Sequence, residues 1–222
     1  MNSSRSTYIP LFIGIFPLLV FHLTHFLSAR AGLVPWCIPY WDGCTSISAT
    51  GRSGSAFILF KVTMLPTAAV LMLYWLTTWN KIHRLMTPGQ FKPWIQWLGI
   101  LAAVFLAMYT VALGLEGNGF QLQRRVGIIF FFTFTYLCQL LFTYQLGHLG
   151  LHDWTHRWQV MLCTVILCLG LLTLVLDWQL DNYDDYEDAF EWIITLLLQC
   201  YFILSYWAWK IMDSTAGLQR SP

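Results

Sequence analysis

Five ionisable side chains interrupt or border the apolar stretches of this chain. His22 and His25 stand three residues apart, so a helix would place both imidazoles on one face. Lys61 lies inside a second apolar stretch, and Asp177 and Glu191 stand at the ends of two more. Ionisable groups at membrane depth are costly and commonly functional. The sequence therefore predicts a candidate polar cluster of these five residues in the outer half of a membrane.

Two interpretations of this cluster remain open at this point. In the first, Lys61 pairs with Glu191 in a polar cavity, and the two imidazoles carry protons or bind lipid head groups. In the second, Lys61 extends to the membrane surface, the carboxylates lie at the interface, and His22 and His25 form hydrogen bonds with neighbouring helices.

Three further histidines form a second candidate site. His148, His152 and His156 are spaced four residues apart, and neutral imidazole is a common metal ligand. On a helix the three rings would span about 12 Å, which is too far for one ion. Gly147 and Gly150 also weaken a continuous helix. We therefore predict no metal and no cofactor, and we interpret these histidines as interfacial.

Six cysteines divide into two groups. Four of them lie inside apolar stretches, where a thiol behaves as a small apolar group. Cys37 and Cys44 share one polar segment, and in an oxidising compartment they would close a small loop. A disulfide and two unpaired thiols are both open.

The elements that position these residues are those of a membrane protein. The chain is 57% hydrophobic and 10% charged, against about 25% charged residues in a soluble domain. Six apolar runs can each cross about 30 Å of hydrocarbon, namely residues 8–27, 56–79, 94–113, 126–146, 158–176 and 189–209. We predict an all-α fold, a polytopic transmembrane helical bundle of six spans that forms a single domain over residues 1–222.

The positions of the basic residues predict the orientation of this bundle. Seven of the twelve Lys and Arg residues lie on the side that holds both termini, namely Arg5, Lys81, Arg84, Lys92, Arg157, Lys210 and Arg220. The positive-inside tendency therefore predicts that both termini are cytoplasmic. Ala29-Arg30-Ala31 resembles a signal-peptide cleavage site, but the length of the first run favours an uncleaved span. No basic patch of the kind that binds nucleic acid is present in the sequence.

The segment from residue 42 to residue 85 resembles the Frag/DRAM/Sfk family, which includes the damage-regulated autophagy modulators. The family's first loop carries an Ile-Ser-x-x-Gly element, and a Phe then opens the second span. This chain has Ser46-Ile47-Ser48-Ala49-Thr50-Gly51 and then Phe57. The basic turn 81–85 and the Ala189-Phe190-Glu191-Trp192 segment also resemble the family. Ala49 departs from it, since an acidic residue is common there, and so does the segment 52–55, where the family has proline and acid.

The resemblance implies a six-span protein whose role concerns lipids. It implies the cytoplasmic membrane in a bacterium, and an endomembrane such as the lysosome, or the plasma membrane, in a eukaryote. We expect a non-enzymatic organiser or regulator of membrane lipids or of a membrane complex, with lipids and a membrane protein as partners. The alternatives are a lipid-modifying, acyl-remodelling enzyme that uses His22, His25, Lys61 and Glu191, and a small-solute transporter.

Overall fold

The computed structural model describes residues 7–86, 93–179 and 184–218, in which turns and loops connect six long helices and two short ones. The long helices are α1 (Ile9–Arg30), α4 (Gly54–Leu85), α5 (Trp94–Ala112), α6 (Asn118–His148), α7 (Trp154–Gln179) and α8 (Asp184–Leu218). The short helices α2 (Pro39–Asp42) and α3 (Ile47–Thr50) lie between α1 and α4. All six long helices have the length and hydropathy to cross a membrane. The chain is therefore a multi-pass integral membrane protein, and the predicted all-α six-span bundle is confirmed.

Several helices are longer than the apolar runs that revealed them. α6 begins at Asn118 rather than at residue 126, and α8 continues to Leu218 rather than ending at residue 209. With 35 residues, α8 is about 52 Å long. Hydropathy marks where hydrocarbon ends, whereas a helix continues while its backbone hydrogen bonds are satisfied. The polar ends of the helices therefore extend beyond the membrane core.

The six long helices pack in a ring. In the order α1, α4, α5, α6, α7, α8 each helix contacts the next, α8 returns to α1, and α4 also contacts α8 across the ring. Glycines permit close backbone approaches in two places. A Cβ atom on Gly14 of α1 would lie 3.0 Å from the Gln199 carbonyl oxygen of α8, and one on Gly127 of α6 would lie 3.0 Å from the Tyr109 backbone of α5. Small residues at such contacts are the usual means of helix association in lipid.

The start of α1 and the end of α8 lie at the same end of the bundle, which we call the terminal end. The ring of Tyr8, just before α1, stacks on Tyr206 of α8, with 5.8 Å between ring centroids. At the same end Lys81 of α4 forms an ion pair with Asp213 of α8. That this end faces the cytoplasm stays a prediction.

The opposite end, which we call the capped end, is covered by the segment that carries α2 and α3. The Ser28 hydroxyl of α1 donates to the Thr50 carbonyl oxygen at 2.6 Å. The Trp192 indole of α8 donates to the Thr45 carbonyl oxygen at 2.8 Å. Ser46 caps α3 by accepting a hydrogen bond from the Ala49 amide. The family-like segment is therefore fixed onto the helices rather than extended into solvent.

Candidate functional site

A cleft opens between α6, α7 and α8 toward the capped end. α6 and α7 are joined by a short turn at the terminal end, and the Tyr136 hydroxyl of α6 donates to the Cys163 carbonyl oxygen of α7 at 3.1 Å. From there toward the capped end the two helices line opposite walls of a space of about 880 Å³. This volume lies in the range of ligand sites in proteins, about 300–1,000 Å³. The cleft can therefore hold an extended ligand.

Away from its charged residues the cleft is mainly apolar, with the hydroxyl groups of Thr133 and Tyr136 in its wall. It is lined by aliphatic and aromatic side chains of all three helices, namely Ile128, Ile129, Phe132, Ile166, Leu167, Leu171, Leu174, Ile194 and Leu198. On α7 this lining is open to the surroundings, since Leu171 and Leu174 are 55% and 66% exposed. Such a surface at membrane depth is suited to the hydrocarbon chain of a lipid, because both are apolar and lipid can enter from the side.

The mouth of the cleft carries charges of both signs. Its acidic and basic lining residues are Arg52, Arg124, Arg125, Glu187, Asp188 and Glu191. The two adjacent arginines belong to α6 and the three acids belong to α8, so the signs lie on opposite walls. Arg124 is held in place because its guanidinium donates to the Leu115 carbonyl oxygen at 2.8 Å. Arg52, which precedes α4, lies within electrostatic reach of Asp188 and Glu191.

A hydrogen bond between two hydroxyl groups joins the capping segment to this cleft. Ser48 of α3 and Tyr109 of α5 are 2.7 Å apart through their oxygens, and both line the cleft. Tyr109 is buried, and Glu191 lies within electrostatic reach of its phenol. The family-like Ile-Ser element therefore contributes a side chain to the wall of the cleft.

Beneath the mouth lies a small enclosed chamber in the centre of the bundle. It has a volume of about 40 Å³, and Glu191 and Tyr109 line both the chamber and the cleft. Three other lining atoms are buried without a hydrogen-bond partner among the described residues, namely Thr135 Oγ1, Thr195 Oγ1 and Gln199 Oε1. The lining of the chamber is mainly apolar, with these polar atoms set into it, and a space of this size has room for about three water molecules. Water there would satisfy these atoms and connect them to the Glu191 carboxylate.

The two histidines of the predicted cluster lie together, beside Trp192. His22 Nδ1 donates to the Leu18 carbonyl oxygen at 2.7 Å, and His22 Nε2 accepts from the Tyr40 hydroxyl at 3.1 Å. Burial, with a smaller contribution from a cysteine on α8, raises the pKa of Tyr40 above its ordinary value, so this phenol stays a hydrogen-bond donor. His25 approaches the Trp192 ring edge-on, with 6.0 Å between centroids.

Lys61 and Asp177 belong to other places in the bundle. Lys61 Nζ donates to the Val111 carbonyl oxygen at 3.0 Å and lies 4.3 Å from the centre of the Phe57 ring. Among the described residues the ion pair is that of Lys81 with Asp213 at the terminal end. The predicted pairing of Lys61 with Glu191 is therefore wrong. Asp177 is exposed in the last turn of α7. Of the five predicted residues, Glu191 alone lines the cleft. The next residue, Trp192, lies on another side of α8, where its ring contacts His22 of α1.

The family-like residues occupy three different positions. Ile47 is buried in the core, and Gly51 leaves room for Phe60, to whose ring a Cβ atom on Gly51 would come within 2.6 Å. Phe57, in the first turn of α4, contacts the Lys61 ammonium. Ser46 and Ser48 line the cleft. Of these five residues, only the two serines line the cleft.

Cys37 and Cys44 are joined by a disulfide in the segment that covers the capped end.

The three histidines His148, His152 and His156, at the terminal end, do not converge on one point. His148 Nε2 is 2.7 Å from the Tyr144 hydroxyl, while His152 and His156 lie edge to face at 5.2 Å. Within the described part of the chain no group of three or more His, Cys, Asp or Glu side chains is placed to hold a metal ion.

Sequence reasoning overlooked several cleft residues. Arg124 and Arg125 are not among the candidate site residues of the sequence analysis, although guanidinium groups at the border of an apolar run can bind a lipid phosphate. Tyr109 was treated as part of an apolar span. The hydroxyl group of Tyr109, inside the apolar run 94–113, could have indicated a polar site, because a buried phenol requires a hydrogen-bond partner.

No protein-family model, no curated protein and no solved structure matches this chain. Its function is therefore argued from the geometry of the cleft.

Proposed function

We propose that this protein is a non-enzymatic organiser of membrane lipids that holds a phospholipid in the cleft between α6, α7 and α8. The observation that carries this proposal is the amphipathic lining of the cleft, which is charged at the mouth and apolar below. A phospholipid has the same division, with a charged head group and hydrocarbon chains. The sideways opening along α7 allows a lipid to enter from the bilayer without leaving it.

The location of the charges supports this proposal. The mouth lies at the capped end of the helices, the depth at which lipid head groups meet water, and Arg side chains there can bind phosphate in a bidentate manner. The apolar wall continues toward the middle of the bundle as far as Tyr136, whose hydroxyl is occupied by the Cys163 carbonyl oxygen. Each part of a lipid therefore finds a surface of matching chemistry.

The wider role follows from the same proposal. A protein that holds particular lipids changes their local concentration and can recruit a second membrane protein to them. The proposed membership of the Frag/DRAM/Sfk family agrees with a lipid-related role. The proposed membrane is the cytoplasmic membrane in a bacterium, and an endomembrane or the plasma membrane in a eukaryote.

Filling the cleft tests this proposal. Gly170 lines the cleft, and a Cβ atom there meets no other atom within 4 Å. Gly170→Trp is therefore expected to fold while occupying the space of a lipid chain. Gly217→Trp is the matched control, since Gly217 is equally unobstructed and lies near the end of α8. The measurement is native mass spectrometry of protein purified in mild detergent.

We expect the native chain and the Gly217→Trp variant to retain phospholipid, and the Gly170→Trp variant to lose most of it. Absence of bound phospholipid from the native chain would contradict the proposal. Equal amounts of lipid in the two tryptophan variants would also contradict it, because they would place the lipid outside the cleft.

A second candidate function is acyl remodelling, favoured by the Ser48–Tyr109 hydrogen bond. Ser48 lies where the head group and the acyl chains of a bound lipid would join, which is where the ester carbonyl carbons are. Its oxygen would attack one of them while its proton passes to Tyr109, whose own proton moves toward Glu191. The ester C–O bond then breaks, and the departing glycerol oxygen takes up that proton, which leaves an acylated serine and a neutral lysolipid. Ser48→Ala, with the exposed Ser55→Ala as control, tests this. Unchanged lysolipid content in membranes that contain either variant would remove the enzymatic role and leave lipid binding intact.

A further inference from the structure

The charges at the mouth of the cleft are balanced and separated. Three arginines and three carboxylates line it, so the described mouth has no net formal charge. A lipid with a net negative head group would satisfy the basic wall of α6 and leave the three acids of α8 with Arg52 as the one cation beside them among the described lining residues. Leaving charges unpaired in a partly desolvated place is costly. The mouth therefore complements a head group that carries one positive and one negative charge.

The acidic wall distinguishes between two kinds of positive head group. A quaternary ammonium cannot donate hydrogen bonds and is recognised by the faces of several aromatic rings. A primary ammonium has three donors and is satisfied by carboxylate oxygens. The acidic wall of α8 presents Glu187, Asp188 and Glu191, and the aromatic rings that line the described mouth beside these acids are those of Phe190 and Tyr109, fewer than the carboxylates. This composition fits a primary ammonium.

We propose that the ligand of this cleft is a zwitterionic phospholipid with a primary ammonium head group, a phosphatidylethanolamine, whose phosphate lies on Arg124 and Arg125 and whose ammonium lies on the acids of α8. This inference rests on the proposed lipid-binding function and narrows it to one class of head group. Arg52 stands beside the acidic wall and so can contact the phosphate from the other side. The ammonium is directed toward Glu191, the deepest of the three acids.

The position of Glu191 strengthens the selection. Its carboxylate lines both the cleft and the central chamber, where bulk solvent is largely excluded and an ion pair is stronger than in bulk water. A trimethylated ammonium would present methyl groups to this carboxylate and lose its hydrogen bonds. One lost hydrogen bond to a charged group corresponds to about tenfold in affinity. We therefore expect about tenfold discrimination between the two zwitterionic head groups.

The experiment is a lipid competition followed by native mass spectrometry. Purified full-length protein is exchanged into mixed micelles that hold equal amounts of phosphatidylethanolamine, phosphatidylcholine and phosphatidylglycerol with acyl chains of distinct mass. The variants are Glu191→Gln, the rim pair Glu187→Gln with Asp188→Asn, and Arg125→Gln. The control is Glu116→Gln, an exposed acid at the capped end that does not line the cleft.

The native chain and the control should bind phosphatidylethanolamine about tenfold more than either competitor. The acidic-wall variants should bring phosphatidylethanolamine and phosphatidylcholine to near equality while total bound lipid is kept. Arg125→Gln should lower the binding of all three lipids. Because the rim pair is accessible, it tests the inference even if Glu191→Gln fails to fold.

Equal binding of the two zwitterionic lipids by the native chain would overturn this inference and leave the proposed function standing. So would a preference for phosphatidylglycerol, or a preference that the rim pair does not change. Absence of all three lipids from the native chain would overturn both proposals.

Discussion

Gly127, at the contact between α5 and α6, and Gly170, on the open side of α7, are expected to respond differently to replacement by alanine. The quantity compared is the free energy of unfolding. A Cβ atom on Gly127 would lie 2.9 Å from the Tyr109 Cβ and 3.0 Å from its Cα and backbone nitrogen. These atoms cannot rotate away as the tip of a side chain can, so α5 and α6 would have to separate. A Cβ atom on Gly170 meets no atom within 4 Å. Gly127→Ala and Gly170→Ala therefore make the same chemical change in opposite environments.

The magnitudes follow from two terms. Replacing an interior glycine by alanine favours a helix by up to about 1 kcal/mol. Overpacking a close contact costs about 1–3 kcal/mol, and the rigid atoms at Gly127 place its cost in the upper part of that range. We expect Gly127→Ala to lower the free energy of unfolding by about 1–2 kcal/mol. We expect Gly170→Ala to leave it unchanged or to raise it by up to about 1 kcal/mol.

The assay is equilibrium unfolding in mixed micelles of mild detergent and dodecyl sulfate, followed by far-ultraviolet circular dichroism. Bound phospholipid is measured on the same samples, since displacement of Tyr109 should weaken the cleft in Gly127→Ala. A Gly127→Ala variant as stable as the native chain would refute the close approach of α5 and α6. Equal destabilisation by both substitutions would show that the contacts at Gly127 are not what decides the outcome.

Three further predictions concern the two ends of the bundle. Ser28→Ala removes the hydrogen bond to the Thr50 carbonyl oxygen and should cost about 1 kcal/mol, visible as a lower thermal midpoint. Lys81→Met leaves Asp213 without its partner and should cost about 1–2 kcal/mol, because the pair is only partly buried. In a double-mutant cycle, Asp213→Asn should then add little. Reduction of the disulfide, which joins residues seven apart in the sequence, should cost about 2 kcal/mol in a thermal unfolding comparison with the oxidised protein.

The spans could be predicted because a membrane imposes one condition on every residue that it surrounds. Twenty apolar residues in a row are sufficient evidence of a helix across hydrocarbon, since no other local structure satisfies the backbone there. The start of α6 before residue 126 and the continuation of α8 beyond residue 209 could not be set in this way. Outside hydrocarbon, sequences such as the one that opens α6 at Asn118 carry no strong boundary signal.

The candidate site was harder to predict, because depth in the membrane is only one of three coordinates. His25, Lys61 and Glu191 lie near the same end of the bundle, and the sequence contains that information. Which way each side chain points around its helix depends on packing partners distant in the chain. Lys61 donates a hydrogen bond to the Val111 carbonyl oxygen of α5. Glu191 lines the cleft, whereas the adjacent Trp192 packs against α1.

The most direct test of the lipid cleft is site-specific photocrosslinking in native membranes. Phe132 lines the cleft, whereas Phe26 is 45% exposed on α1 and does not line it. Each is replaced in turn by azidophenylalanine, and lipid adducts are identified by mass spectrometry after illumination. We predict that position 132 gives adducts with one head-group class, while position 26 gives the mixture present in the membrane. The same mixture at both positions, or no lipid adduct at position 132, would contradict the lipid cleft.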